Sequence, residues 1–67
     1  MEIGDIIREK REAANLSRLE LGEAVGVTQN MIWAIERGRK CPSIRLALDL
    51  AKALGCELID LIGGKTA

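Results

Sequence analysis

The stretch from residue 17 to residue 38, SRLELGEAVGVTQNMIWAIERG, contains two helical segments joined by a short turn. Ser17 is followed three residues later by Glu20, which is the spacing of a capping box at the start of a helix. Gly26 ends that helix, because glycine readily adopts the left-handed conformation found after many helices. Thr28 follows almost at once and is suited to cap the next helix. The pattern therefore predicts two helices that cross at a steep angle.

Two helices that cross steeply need a small residue where they touch, and Ala24 is the predicted contact. Gly22 lies partly toward the outside on a helical projection. Glycine inside a helix nevertheless lowers stability by about 1 kcal/mol relative to alanine. We therefore expect another part of the molecule to approach the helix closely at Gly22. A helix, a short glycine-containing turn and a second helix form the outline of a helix-turn-helix motif, whose second helix enters the major groove of DNA.

The flanking sequence predicts three further helices and no strand, since helix-favouring residues abound and Phe and Tyr are absent. With 67 residues, the chain holds at most one domain. We expect an all-α fold, a compact five-helix bundle over residues 3–62 with the motif at 18–37 and a flexible tail at 63–67. The predicted helices are residues 2–14, 18–25, 28–37, 44–54 and 57–62, and the predicted apolar faces contain Ile3, Ile7, Ala14, Leu21, Ala24, Val25, Ile32, Ile35, Ile44, Leu48, Leu50, Ala51 and Leu54.

The charged residues balance, with 10 Lys and Arg against 10 Asp and Glu. A net charge of zero argues against nucleic-acid binding, because many DNA-binding domains are clearly basic. The distribution matters more than the sum. Arg37, Arg39, Lys40 and Arg45 follow one another with no acidic residue between them. The positive charge is therefore concentrated directly after the motif.

The composition argues against several classes of protein. No signal peptide and no membrane-spanning run is present, so we expect a reduced, cytoplasmic setting. Free Cys41 and Cys56 thiols are then favoured over a disulfide between them. Two thiols without histidine do not complete a zinc site. No metal or phosphate-binding motif indicates an enzyme, and we expect no metal, no cofactor and no small-molecule ligand.

The predicted third helix carries the candidate reading residues. With Ile32 and Ile35 directed inward, its first turn presents Gln29 and Asn30. Such amide side chains can pair bidentately with adenine, and recognition helices use their N-terminal residues on base edges. Both residue types are also common on ordinary surfaces, so this feature alone leaves a structural role open. The outward arc contains Asn30, Trp33, Ala34 and Arg37.

Glu36 lies on the inward side of the same helix, near Ile32. A carboxylate in that position needs a partner, because burying an unpaired charge is costly. Arg11 lies on the inward flank of the first helix, next to Ile7. We therefore predict an Arg11–Glu36 ion pair that holds the first helix against the third.

Residues 17–38 resemble the helix-turn-helix segment of the Cro and phage-repressor family, also called the XRE family. The family pattern is Ser-Gln-x-x-Leu-Ala-x-x-x-Gly-Val-Ser/Thr, then Ile and a final Glu-x-Gly. The resemblance implies a five-helix all-α fold that binds duplex DNA, usually as a two-fold dimer on a palindromic operator. The matching residues are Ser17, Leu21, Gly26, Val27, Thr28, Ile32, Glu36, Gly38, Pro42, Ser43, Leu50, Ala51, Ala53, Leu54 and Gly55.

The resemblance also implies which residues touch DNA. Base contacts fall on Gln29, Asn30 and Ala34, of which alanine offers only a methyl group. Arg18 stands where the family favours glutamine as a phosphate ligand, and Trp33 stands where many members have a polar residue. Trp33 has three interpretations, namely contact with the DNA backbone, packing on a neighbouring side chain, and contact with a partner. The predicted backbone contacts are Arg18, Thr28, Trp33, Arg37, Arg39 and Lys40.

The predicted fifth helix has little polar surface. A helix this short is not stable alone, so we expect Leu58, Leu61 and Ile62 to pack on the first and fourth helices. Ile59 has no obvious inward place. We predict that Leu58, Ile59 and Ile62 contribute to a two-fold dimer interface; the alternative is a single exposed isoleucine, which needs no explanation.

Two functions from different classes fit this sequence. The first is a transcriptional regulator, more specifically a repressor, that binds a duplex operator as a homodimer. The second is an antitoxin or adaptor module whose helix-turn-helix domain mainly binds a partner protein, which the neutral net charge, Leu19 and Trp33 favour. Salt dependence separates them, because phosphate contacts release counterions and operator binding therefore weakens steeply as salt rises.

Overall fold

The computed structural model describes residues 2–62, which form five α-helices and no β-strand. The all-α five-helix prediction is thereby confirmed, whereas the tail predicted at residues 63–67 lies outside the described residues. No helix in the described range is long and apolar enough to cross a membrane. The helices are α1 (Ile3–Ala13), α2 (Arg18–Val25), α3 (Gln29–Glu36), α4 (Ile44–Leu54) and α5 (Leu58–Leu61).

Side-chain caps fix the start of the two motif helices. The Ser17 hydroxyl accepts a bond of 3.0 Å from the Glu20 N–H, and the Glu20 carboxylate accepts one of 2.8 Å from the Ser17 N–H. Gly26 ends α2 with a φ of 80°. The Thr28 hydroxyl then accepts a bond of 3.1 Å from the Met31 N–H. The predicted capping box, stop and cap are all present, because each depends on neighbours in the sequence.

The contact between α2 and the turn before α3 is made at Gly22, and the prediction of Ala24 is wrong. Ala24 is exposed, whereas Gly22 is buried. The Val27 N–H donates to the Gly22 carbonyl at 2.9 Å, so the turn folds back over that residue. A Cβ atom on Gly22 would lie only 2.6 Å from the Val27 carbonyl oxygen. The glycine therefore permits the close approach that the sequence suggested.

Apolar side chains from all five helices form one core. At the C-terminal end of α1 the sequence prediction fails, because Ala14 caps the helix and is exposed. Gly4 and Ile6, which periodicity did not single out, are buried instead. The core contains Ile6, Ile7, Leu21, Ile32, Ile35, Leu50, Ala51 and Leu61.

Helix α4 packs inward through only part of the face that its sequence predicts. Ile44 is 73% exposed and Leu48 is 41% exposed, although both were expected in the core. Leu50 and Ala51 are buried as predicted, and Ala47, which the periodicity did not single out, is buried with them. The small side chains at 47 and 51 let α4 pack closely on its neighbours, while Ile44 lies at the helix end, beyond the core. Two large apolar side chains of α4 are consequently left at the surface.

Candidate nucleic-acid interface

Helix α3 is held by one face and exposes its first turn. Ile32 and Ile35 are fully buried, as predicted. Thr28, Gln29 and Asn30 are all exposed, and the Thr28 hydroxyl is used as the helix cap. The packed face fixes the direction of the helix, so the two amide side chains project from a rigid element.

The loop after α3 is attached to α3 through Ala34. Ala34 is half-buried, and its carbonyl accepts the N–H groups of Arg39 at 2.8 Å and Lys40 at 3.3 Å. Gly38 adopts a φ of 76°, which lets the chain turn back for these bonds. The backbone of Ala34 therefore positions two exposed cationic residues beside the helix.

Trp33 packs against two arginines on the outward side of α3. Its side chain is 39% exposed. The guanidinium carbon of Arg37 lies 5.4 Å from the ring centroid, and that of Arg39 lies 5.6 Å away. Both distances are within the range of a cation–π interaction. Of the three interpretations of Trp33, the structure shows packing on neighbouring side chains, those of Arg37 and Arg39.

Glu36 and Arg11 form the ion pair that the sequence suggested. Arg11 Nε donates to Glu36 Oε2 at 2.6 Å, and Arg11 Nη2 donates to Oε1 at 3.2 Å. The Glu36 side chain is completely buried. The pKa of Arg11 is raised above its ordinary value, mainly by the hydrogen bond to Glu36, while burial acts in the opposite direction. Arg11 Nη1 also donates to the Leu16 carbonyl at 2.8 Å, so the pair fixes α1, α3 and the start of the motif together.

Arg18 has a structural contact that sequence reasoning missed. Its Nε donates to Glu36 Oε1 at 3.0 Å, and its side chain is 39% exposed. The resemblance places glutamine at this position and gave no reason to expect the bond to Glu36. A guanidinium has five N–H donors, so this bond leaves donors for a further acceptor. Arg18 thus lies between the buried pair and the surface.

A surface recess joins the start of α2 to the exposed side of α3. Its volume is about 390 Å³. Leu19, which is 51% exposed, and Trp33 supply its large apolar side chains. The recess brings together residues predicted to contact bases with residues predicted to contact the backbone. Its lining consists of Arg11, Ser17, Arg18, Leu19, Gln29, Asn30 and Trp33.

The residues predicted for a dimer interface lie at the end of the described chain. Leu58 is half-buried, while Ile59 is 47% and Ile62 is 58% exposed. Leu61 alone is fully buried. The expectation that Ile62 packs inward is wrong, because Ile62 follows the last residue of α5 and points away from the core. We call Leu58, Ile59 and Ile62 the α5 patch.

The two cysteines are free thiols. Cys41 is exposed and Cys56 is half-buried, which agrees with the expectation of free thiols over a disulfide. Burial raises the pKa of the Cys56 thiol above its ordinary value. Within residues 2–62, no group of three or more His, Cys, Asp or Glu side chains is placed to hold a metal ion.

Comparison with known proteins agrees with the geometry. The helix-turn-helix family model matches residues 7–61. An uncharacterized HTH-type transcriptional regulator of Methanothermobacter thermautotrophicus is 49% identical over 55 residues, which cover 82% of this chain and 80% of that protein.

Solved structures share the whole fold. The P22 c2 repressor, crystallised with synthetic operator 9T, superposes with a TM-score of 0.92 and 32% identity over 97% of this chain and 98% of its own. A chain of the SinR–SinI protein complex superposes with a TM-score of 0.86 and 29% identity over 96% of this chain and 63% of its own. With the family model covering most of its length, the chain belongs to the XRE-type helix-turn-helix family of transcriptional regulators, the family that includes the Cro and phage repressors.

Proposed function

We propose that this protein is a repressor that binds duplex DNA sequence-specifically and reads the major groove with α3. The observation that carries the proposal is the exposed first turn of α3, where Gln29 and Asn30 project from a helix held by Ile32 and Ile35. The P22 c2 repressor, which has the same fold over 97% of this chain, was crystallised on operator DNA. That likeness supports the same use of the surface here.

Base readout in this proposal rests on Gln29 and Asn30. Each amide has one acceptor and two donor hydrogens, which match the donor and acceptor edge of adenine in the major groove. Ala34 is half-buried and contributes at most a methyl contact. We therefore expect specificity to come from the first turn of α3 and to weaken toward its C-terminal end.

Affinity in this proposal comes from cationic and polar groups around that turn. Arg37, Arg39 and Lys40 are exposed directly beside α3, and Arg18 keeps donors beyond its bond to Glu36. Contacts of such groups with phosphates supply most of the non-specific binding energy of DNA-binding proteins. The proposed backbone contacts are Arg18, Thr28, Trp33, Arg37, Arg39 and Lys40.

We also propose that the protein binds a palindromic operator as a homodimer through the α5 patch. Ile59 and Ile62 are large apolar side chains that the fold leaves about half exposed. A second copy related by a two-fold axis would cover both patches at once. Two recognition helices would then meet half-sites one helical turn apart, about 34 Å along the duplex.

A second candidate is a module that mainly binds a partner protein, such as an antitoxin or adaptor. The observation in its favour is the exposed apolar surface of α4, where Ile44 is 73% and Leu48 is 41% exposed. Apolar surface of this kind is common at protein interfaces. The structural likeness to a chain of the SinR–SinI complex, two proteins bound to each other, points the same way.

The substitutions Gln29→Ala and Arg39→Ala test the proposal together. Gln29→Ala removes a base contact, so it should weaken operator binding by about 1–3 kcal/mol and relax the preference at one base pair. Arg39→Ala removes a phosphate contact, so it should weaken binding to every duplex alike and reduce the dependence of affinity on salt. Equilibrium titrations with operator and unrelated duplexes at several salt concentrations measure both effects. Equal losses on all sequences for Gln29→Ala would remove base readout at that position, and salt-independent affinity would favour the second candidate.

A further inference from the structure

Trp33 is the only aromatic residue of the chain, which has one Trp and no Tyr or Phe. It lies on the outward side of α3, and at 39% exposure it is not part of the core. Arg37 follows one helical turn later, and Arg39 comes from the loop that the Ala34 carbonyl holds against the helix. One ring therefore contacts two cations that reach it from two different elements.

The side chains of these two arginines lack an acidic partner in the part of the chain that the structure describes. Within residues 2–62, no carboxylate forms an ion pair with Arg37 or Arg39, although ion pairs do form at Arg8, Arg11, Arg18 and Arg45. The two guanidinium groups, which both lie within 5.6 Å of one ring centroid, also repel each other. The negative face of the indole ring offsets that repulsion, since tryptophan is the strongest of the aromatic partners for a cation.

We propose that Trp33 is a positioning residue that holds Arg37 and Arg39 ready for the DNA backbone, an inference that rests on the proposed function. A guanidinium that packs on a ring through its face keeps its N–H donors at the edge, where phosphate oxygens bind. Holding a long side chain in its bound conformation lowers the entropy lost on binding. The indole therefore supports phosphate contacts without touching a base itself.

Coupling between the ring and the arginines is the direct test. Trp33→Ala should weaken binding to an unrelated 20-base-pair duplex by about threefold to tenfold, since exposed cation–π contacts are individually weak. Arg37→Ala and Arg39→Ala should each cost clearly less affinity in the Trp33→Ala protein than in the natural one. Arg45→Ala is the matched control, because Arg45 is 85% exposed and pairs with Asp49 instead of the ring. Its effect should be the same in both backgrounds.

Fluorescence gives a second readout, which tests whether the ring contacts the two arginines in solution. With a single tryptophan and no tyrosine, the emission of the protein reports Trp33 alone. Removing Arg37 or Arg39 exposes the ring to water and should shift its emission to longer wavelength, whereas Arg45→Ala should not. Trp33→Phe keeps a ring with a weaker cation–π interaction, so its affinity should fall between those of the natural protein and Trp33→Ala.

The outcomes separate this inference from the proposed function. Independent losses, in which the effects of Trp33→Ala and the arginine substitutions multiply, would overturn the positioning role and leave DNA binding standing. A Trp33→Ala effect confined to one operator base pair would overturn it as well, because the ring would then contact the bases. If the natural protein binds no duplex, both proposals fail together. Far-UV circular dichroism verifies that each variant keeps its helices.

Discussion

Glu36 joins three helices through one carboxylate. It accepts bonds from Arg11 on α1 and from Arg18 on α2, and it lies on α3 itself. Its side chain is fully buried, and the side chain of Arg11 is 9% exposed. The bonds to the arginines offset the cost of burying the Glu36 charge, and removing a partner would leave that cost uncompensated.

Glu36→Gln should lower the free energy of unfolding by about 3 kcal/mol or more, because it leaves two arginines facing a neutral group. The substitution nearly preserves the shape of the side chain, but it removes the charge and replaces one of the two acceptor oxygens with an NH2 donor. Denaturation in urea measures the change, with Glu23→Gln on the exposed side of α2 as the matched control. Equal unfolding midpoints for the natural protein and Glu36→Gln would show that the network contributes nothing to stability.

The sequence predicted a contact correctly where a charged residue lies on an apolar face. A carboxylate on the inward face of α3 requires a partner, and Arg11 is the cation on the facing flank, so the pair could be predicted. Arg18 was expected at a phosphate from the family resemblance, and its bond to Glu36 was missed because a long side chain at the surface has many possible partners. Only the coordinates reveal that its Nε reaches Glu36 at 3.0 Å.

At the scale of the helix, α1 approaches the end of α3 through Gly4. This glycine is buried, and a Cβ atom there would overlap the Ile35 carbonyl oxygen and lie 2.8 Å from that of Glu36. The contact brings α1 close enough for Arg11 to reach Glu36. Hydrophobic periodicity does not register a glycine, which explains why the sequence did not reveal this contact.

Gly4→Ala should destabilise the protein by about 1–3 kcal/mol, because both neighbouring atoms belong to the backbone and cannot rotate away. This loss should exceed the gain of about 1 kcal/mol that alanine brings to a helix. Thermal unfolding measures the difference, and Glu9→Ala, on the exposed side of α1, controls for helix propensity alone. A melting temperature above that of the natural protein would mean that the helices separate at little cost.

The five helices differ in how well the sequence predicted them. The bounds of α2 were predicted correctly, because Ser17 and Gly26 act on their immediate neighbours. The inward face of α4 was predicted only in part: Leu50 and Ala51 are buried, but Ile44 and Leu48, which have the same periodicity, are exposed. Their exposure depends on where α4 lies against α1, α2 and α5, which is tertiary information.

At the scale of the whole molecule, zero net charge conceals a local concentration of positive charge. Arg37, Arg39 and Lys40 are exposed beside α3, whereas exposed acidic residues such as Glu9 and Glu23 lie on α1 and α2. A local positive surface suffices to attract a phosphate backbone, because charges farther away than about 8 Å are largely screened at physiological salt. The neutral total therefore does not oppose the proposed DNA binding.

The α5 patch makes a prediction about assembly. Ile59→Glu together with Ile62→Glu should convert a dimer into a monomer, since two apolar side chains would be replaced by repelling charges in a two-fold contact. Analytical ultracentrifugation measures the mass, and operator titration should show weaker binding to paired half-sites with little change on a single one. Ala24→Glu, an exposed position on α2, is the control. An unchanged mass for the double variant would place self-association elsewhere or exclude it.

Selection of bound sequences from a random duplex pool tests the central claim, sequence-specific DNA reading by α3, most directly. We predict enrichment of one short motif, repeated as an inverted pair of half-sites with centres about one helical turn apart. The same selection with Gln29→Ala should lose the preference at one position of each half-site. Recovery of a pool with no enriched motif, from a protein that is folded and in excess, would contradict the proposed function.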